Sequence, residues 1–236
     1  MMLFLSGGYH YDPLHRLRLR AGMEFLRDEY GDPAFIAVEA NRILFQAVIR
    51  WQRQHFVQLA RKDTKLSLLR LDEIESLAQT IHYEADSHEC LFVTRPKVIW
   101  LDDERSFGTA GDPCNMASKY IKTFCEALEN EDPSRSIRRV RQAISRFVTA
   151  RAAEEMGDGS FDRDKAWARK ILRNSSSKPG YGIVVVGEGH VSRKPSYLHY
   201  LLAAKGYECQ VRYLVNATSA TKHWSTQPNS CATSML

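Results

Sequence analysis

Cysteine is scarce and poorly placed for cross-linking: the five in this 236-residue chain stand at 90, 114, 125, 209 and 231, with no Cys-x-x-Cys pair. An odd, scattered set excludes a disulfide scaffold and a zinc knuckle and points to a reducing compartment. Long apolar runs are missing too; none approaches the roughly 20 residues that a membrane span needs. Residues 1–6 have neither the length nor the basic start of a signal-peptide core. These absences lead us to expect a cytoplasmic protein without a membrane partner. Nor is there a large excess of one charge: the formal net charge is +5. The arginines gather at 16–20 and 135–141, which makes two locally positive surfaces rather than a dedicated nucleic-acid binder. Nothing in the composition fixes oligomeric state, and a homodimer stays open.

What the chain does have is one unit written twice. Residues 181–213 read as a buried strand, a Gly-x-x-His turn, a helix and a second strand. The amino terminus opens the same way: an apolar strand over 2–6, Gly7-Gly8-Tyr9-His10, a helical stretch, and a strand over 34–39. In the first copy Asp12 suits a helix N-cap and Pro13 the first helical position, with Leu14, Leu17, Ala21 and Phe25 at helical spacing until Gly31. The strand 34–39 has no polar residue before Glu39, the pattern of a central strand covered on both faces.

Between the copies, a helix is expected over 41–61 and another over 71–90. The second carries Leu71, Ile74, Leu77, Ala78, Ile81 and Ala85 on one stripe, with His88 inside that stripe and Glu84 at its edge. A strand over 97–101 ends on Asp102. Residues 106–160 change texture to a Gly- and Pro-punctuated loop followed by amphipathic helices, and Phe161 opens a helix that runs through Trp167 and Ile171. We therefore expect a single α/β domain over 1–215: repeat one at 1–61, a helix-strand segment at 62–105, a helical insertion at 106–160 and repeat two at 161–215. Residues 216–236, polar and aperiodic, are expected to form a flexible tail.

The chemistry gathers at the turns. Glycine at 7 and 187 lets the chain turn tightly and a ligand approach the main chain. His10 and His190 would then project from the carboxyl ends of strands, where open α/β sheets bind ligands. With a pseudo-twofold axis between the copies, both face one crevice, joined by Glu39 and Asp102 at neighbouring strand ends. Two imidazoles and two carboxylates suit either a divalent metal or acid and base catalysis. Each has a plainer reading: a His after glycine as a turn residue, Glu39 as a helix cap, Glu84 with His88 as a satisfied inward pair, and Asp102 as a strand exit.

Four elements in order carry a resemblance: the strand with Gly-x-x-His, the strand ending in Val-Glu, Arg163-Asp-x-x-Trp-Ala, and Val-Val-Val-Gly-x-Gly-His-Val. Together they resemble the TraB/Tiki superfamily, which includes ChaN-like and erythromycin-esterase-like proteins; residues 106–155 have no counterpart. The resemblance implies an α/β fold of two split βαβ-type repeats, which we expect to build a central mixed sheet with flanking helices. It implies hydrolysis of an amide, peptide or ester bond. On the Tiki side this depends on a divalent metal (Mn, Co or Zn) held by His10, Glu39 and His190; on the esterase side a histidine is the base, here His10 held by Glu39. Arg163 would face the oxyanion, and Glu84 or Asp102 would orient a ligand or take a proton. On the ChaN side it implies haem binding, with Tyr9, Tyr11 or His10 as axial ligand beside Gly7 and Gly187. Glu188 departs from the motif, as an extra ligand or an exposed side chain.

Overall fold

β1 (Met2–Gly8) and β4 (Tyr181–Gly187) are apolar at almost every position, and apart from Met2 every residue in both is buried. Such strands are comfortable only in the middle of a sheet covered on two faces. The computed structural model describes residues 1–40, 42–82, 96–102, 113–155, 161–175, 180–191 and 197–211, and places these two strands side by side at the sheet's centre. β2 (Phe35–Val38), β3 (Lys97–Trp100) and β5 (Glu208–Val211) complete the spatial order β3-β2-β4-β1-β5. All four pairings are parallel. The fold is α/β as expected, but the described sheet is parallel rather than mixed, because each junction is made through a helical crossover and none through a hairpin.

The two copies are interleaved. β4 of the second lies between β1 and β2 of the first, and β1 lies between β4 and β5. With the edge strand β3 set aside, exchanging β1 with β4 and β2 with β5 turns the order β2-β4-β1-β5 into its own reverse, as a pseudo-twofold axis between the central strands requires. Gly8 is in register with Gly187, so the two Gly-x-x-His turns leave the sheet at the same level.

Alternation of side chains fills two separate layers. Phe4, Ile36, Val38, Ile183 and Val185 face one side, where Leu19, Met23 and Leu26 of α1 (Pro13–Tyr30) and Ile49 of α2 (Arg42–Ala60) cover them. Leu3, Leu5, Phe35, Ala37, Val184 and Val186 face the other. There they meet Trp167 and Ile171 of α6 (Phe161–Ser175) and Leu198 and Leu202 of α7 (Tyr197–Ala203). Each such buried side chain contributes about 1.5–3 kcal/mol. Asp12 caps α1 by accepting from Leu14 N–H at 2.9 Å, with Pro13 at the first position. Gly31 ends the helix at φ 74°, the left-handed region where a Cβ is strained.

A third core lies beyond the sheet. The carboxyl half of α2 packs with α3 (Leu71–Ala78), α4 (Pro113–Ala127) and α5 (Ile137–Glu155) around Phe56, Leu77, Tyr120, Phe124 and Ile144. The helix expected over 71–90 ends at Ala78: Leu71 is exposed rather than striped inward, and the chain turns through residues 79–82 with His82 at φ 51°. Residues 83–95, with Glu84 and His88, lie outside the described residues, as do 212–236. No helix among the described residues is long and apolar enough to cross a membrane.

Candidate functional site

Gly187 is the point on which the site converges. A Cβ built there would sit 3.3 Å from Glu39 Oε2, 3.3 Å from His10 Nε2 and 3.6 Å from His190 Cδ2. Both turn histidines and the acid that follows β2 therefore meet at one glycine, and only a residue without a side chain leaves room between them. Around it opens a crevice of about 540 Å³, floored by the turns with Glu39, Arg163 and Glu188 and walled by α4 and α5.

Gly7, the counterpart in the first turn, serves a different end. A Cβ there would overlap Val191 and Glu188, because the single 3₁₀ turn Glu188–His190 is packed directly against β1. Glu188 is buried, at 8% exposure, and lines the crevice. Of the two roles expected for it, the exposed side chain is thus ruled out.

Glu39 is buried in a network of charge-assisted hydrogen bonds. Gly187 N–H donates to Oε2 at 2.5 Å, and Arg163 Nη2 stands 2.9 Å from Oε1. Arg163 in turn grips Asp102: Nε and Nη2 donate to Oδ1 at 3.2 and 3.0 Å, and Nη2 also reaches Oδ2 at 2.9 Å. Trp167 Nε1–H donates to the same Oδ1 at 3.2 Å, and the Arg163 guanidinium lies 4.5 Å above the Trp167 ring. Burial alone would lower the arginine's pKa, but Glu39 and Asp102 outweigh it and raise it, so Arg163 stays charged. A buried carboxylate is tolerable only when compensated in this way. Asp102 thus holds Arg163 and Trp167 in place.

The two histidines are held in different ways. His190 Nδ1 is 2.5 Å from Asp164 Oδ1, with both side chains buried or nearly so, at 11% and 5% exposure. Its ring also packs on Trp167, centroid to centroid at 4.5 Å. With a carboxylate as acceptor, Nδ1 carries a proton, and in the neutral ring Nε2 then holds the lone pair. His10 is half-exposed, and its Nε2 is 3.9 Å from Glu39 Oε1, beyond hydrogen-bond length. Glu39 therefore does not grip His10 as expected; it is already engaged by Arg163 and Gly187. The backbone fixes the first turn instead, with Tyr120 O–H donating to the His10 carbonyl at 2.6 Å.

The expected metal set is already engaged: a divalent ion on His10, Glu39 and His190 would have to share Glu39 with Arg163, and among the described residues no group of three His, Cys, Asp or Glu side chains is placed to hold a metal. An axial tyrosine must be a phenolate. Yet Tyr9 has its pKa raised by burial and by the charges of Glu188 and Asp12, and the Tyr11 ring packs at 4.4 Å against Tyr120, tilted by 50°.

Of the residues predicted from sequence, the structure brings together Gly187, His10, Glu39, His190 and Arg163, with Gly7, Tyr9 and Tyr11 at the turns and Asp102 one bond further out. Asp164 is the residue sequence reasoning missed as a site member. Its signal was present in the Arg-Asp-x-x-Trp segment, but which acid of α6 meets His190 depends on how that helix packs. Comparison with protein-family models, with curated proteins and with solved structures returns no significant match.

Proposed function

We propose that this chain is a hydrolase of the TraB/Tiki type, acting in the cytoplasm on an amide, peptide or ester bond by metal-free acid and base catalysis in the crevice at Gly187. The observation that carries this reading is the His190–Asp164 pair opening on that crevice. Asp164 fixes the tautomer and orientation of the ring, and Nε2 removes a proton from water as the water attacks the carbonyl. Asp164 then stabilises the imidazolium that forms. The oxyanion develops beside Arg163, whose charge is secured by Glu39 and Asp102. The imidazolium returns its proton to the leaving group, while His10, on the opposite turn, hydrogen-bonds the departing atom. The free thiols Cys125 and Cys209 agree with the reducing setting this reading assumes.

The test is hydrolysis of p-nitrophenyl acetate and of a capped peptide p-nitroanilide by protein stripped with EDTA. Turnover that survives chelation and disappears in H190A is expected. No turnover above buffer with either substrate sinks the hydrolase reading. Activity lost on chelation and restored by Mn, Co or Zn sinks its metal-free form.

A further inference from the structure

The crevice has two sides of opposite character. Its floor at the strand ends carries the acids Glu39 and Glu188 beside Arg163, whereas every charged residue lining the helical wall among the described residues is a cation: Lys119 and Lys122 of α4 and Arg151 of α5. Lys119, Lys122 and Thr123 fall at i, i+3 and i+4, one row of α4, with Tyr120 and Phe124 buried in the helical core behind them. Glu126 lies 3.0 Å from Arg151 and 3.9 Å from Lys122. Lys119 has no ion-pair partner among the described residues. On the floor, Glu39 is already compensated by Arg163 at 2.9 Å, so it does not neutralise the wall.

From this polarity we infer that the substrate carries an anionic group, a carboxylate or a phosphate, remote from the scissile bond and seated against Lys119, Lys122 and Arg151. A concave wall of one sign concentrates its counter-ion, and Thr123 adds a hydroxyl donor beside the lysines. With the scissile carbonyl at Gly187 and the anion on the wall, the substrate spans the crevice in one orientation. A neutral substrate of the same size lacks this anchor. The inference rests on the hydrolase reading of the same crevice.

The experiment compares mono-p-nitrophenyl succinate with its methyl ester. The free acid is expected to have a kcat/KM at least tenfold higher, the equivalent of ~1.4 kcal/mol, and the ratio to shrink with added salt. In K119Q/K122Q the ratio falls towards one; in K119R/K122R, which keeps the charge, it is restored. Competition by glutarate or by inorganic phosphate identifies which anion the wall prefers. A ratio near one in the unmodified protein overturns the inference while leaving the hydrolase reading standing. If neither ester is turned over, calorimetric titration with glutarate and phosphate decides: binding that weakens in K119Q/K122Q upholds the anion site without the hydrolase, and absence of binding overturns the inference.

Discussion

The two Gly-x-x-His turns leave neighbouring parallel strands at one level, yet their histidines stand in different surroundings. His190 is pinned between Asp164 and Trp167 at 11% exposure. His10, at 47% exposure, stands 3.9 Å from Glu39, and its carbonyl accepts from Tyr120 O–H. The backbone symmetry is nearly complete, and the surroundings break it: α6 packs beside the second turn, and the helical layer of α4 packs beside the first. A duplicated turn thus supplies position, and the neighbouring helix decides what surrounds each imidazole.

The sharpest way to break this comparison is to remove each imidazole in turn. We expect His190→Ala to lower kcat by about 10³-fold or more and His10→Ala by about 10²-fold or less, within the range that acid and base groups supply. Equal losses, or the reverse order, in steady-state ester hydrolysis would show that the difference in anchoring has no catalytic meaning. Asp164→Asn should follow, with kcat down by about 10²-fold and KM little changed, since the amide lets the ring take the wrong tautomer. Asp164→Glu should recover part of the rate, and thermal melts of both variants should match the parent. An Asp164→Asn that instead melts early would make this residue structural rather than a positioning residue.

The glycines extend the contrast at smaller scale. Gly7→Ala pushes into Val191 and Glu188 and should destabilise by about 1–3 kcal/mol, the usual cost of overpacking. Gly187→Ala meets its neighbours at 3.3 Å, so urea midpoints should fall less, while turnover drops because the methyl fills the space between the histidines. A Gly187→Ala protein less stable than Gly7→Ala would reverse this assignment. The smallest effect comes from two thiols, one in the helical layer and one in the second repeat. Burial, seconded by Asp63 for Cys125 and by Glu208 for Cys209, raises both from 9.0 to about 12. The folded chain keeps these protons after the unfolded chain has lost them. Stability from this source is therefore complete below pH 9 and is lost as the pH rises towards 12. Urea midpoints measured over that window should decline less steeply in Cys125→Ala and Cys209→Ala, and an unchanged slope in both would refute the burial account.

Much of this was legible because local patterns and tertiary demands agreed. The unbroken apolar runs of β1 and β4 read as central strands, Asp12-Pro13 and Gly31 marked the ends of α1, and Gly-x-x-His marked the turns that meet at the crevice. Illegible features were those decided between distant segments. Parallel pairing rather than a mixed sheet depends on where each crossover returns the chain. The early end of α3 is set by the turn at His82, which interrupts a stripe that looked continuous. Capture of His190 by Asp164, and of Glu39 by Arg163 rather than His10, follows from how α6 rests against the sheet, for which residue spacing holds no signal.

The interleaved strand order has a consequence for how the molecule comes into being. Until residues 181–187 have left the ribosome, β1 and β2 have no strand between them, and the inward edges of both present unpaired N–H and C=O groups. The centre of the sheet can close only when the last third of the chain arrives, across a sequence separation of about 180 residues between registered partners such as Met2 and Tyr181. Contacts of that range make folding slow and leave the nascent chain open to wrong pairing. Gly187 lies at the end of the strand that closes this gap, so the candidate crevice and the finished fold are acquired in the same event.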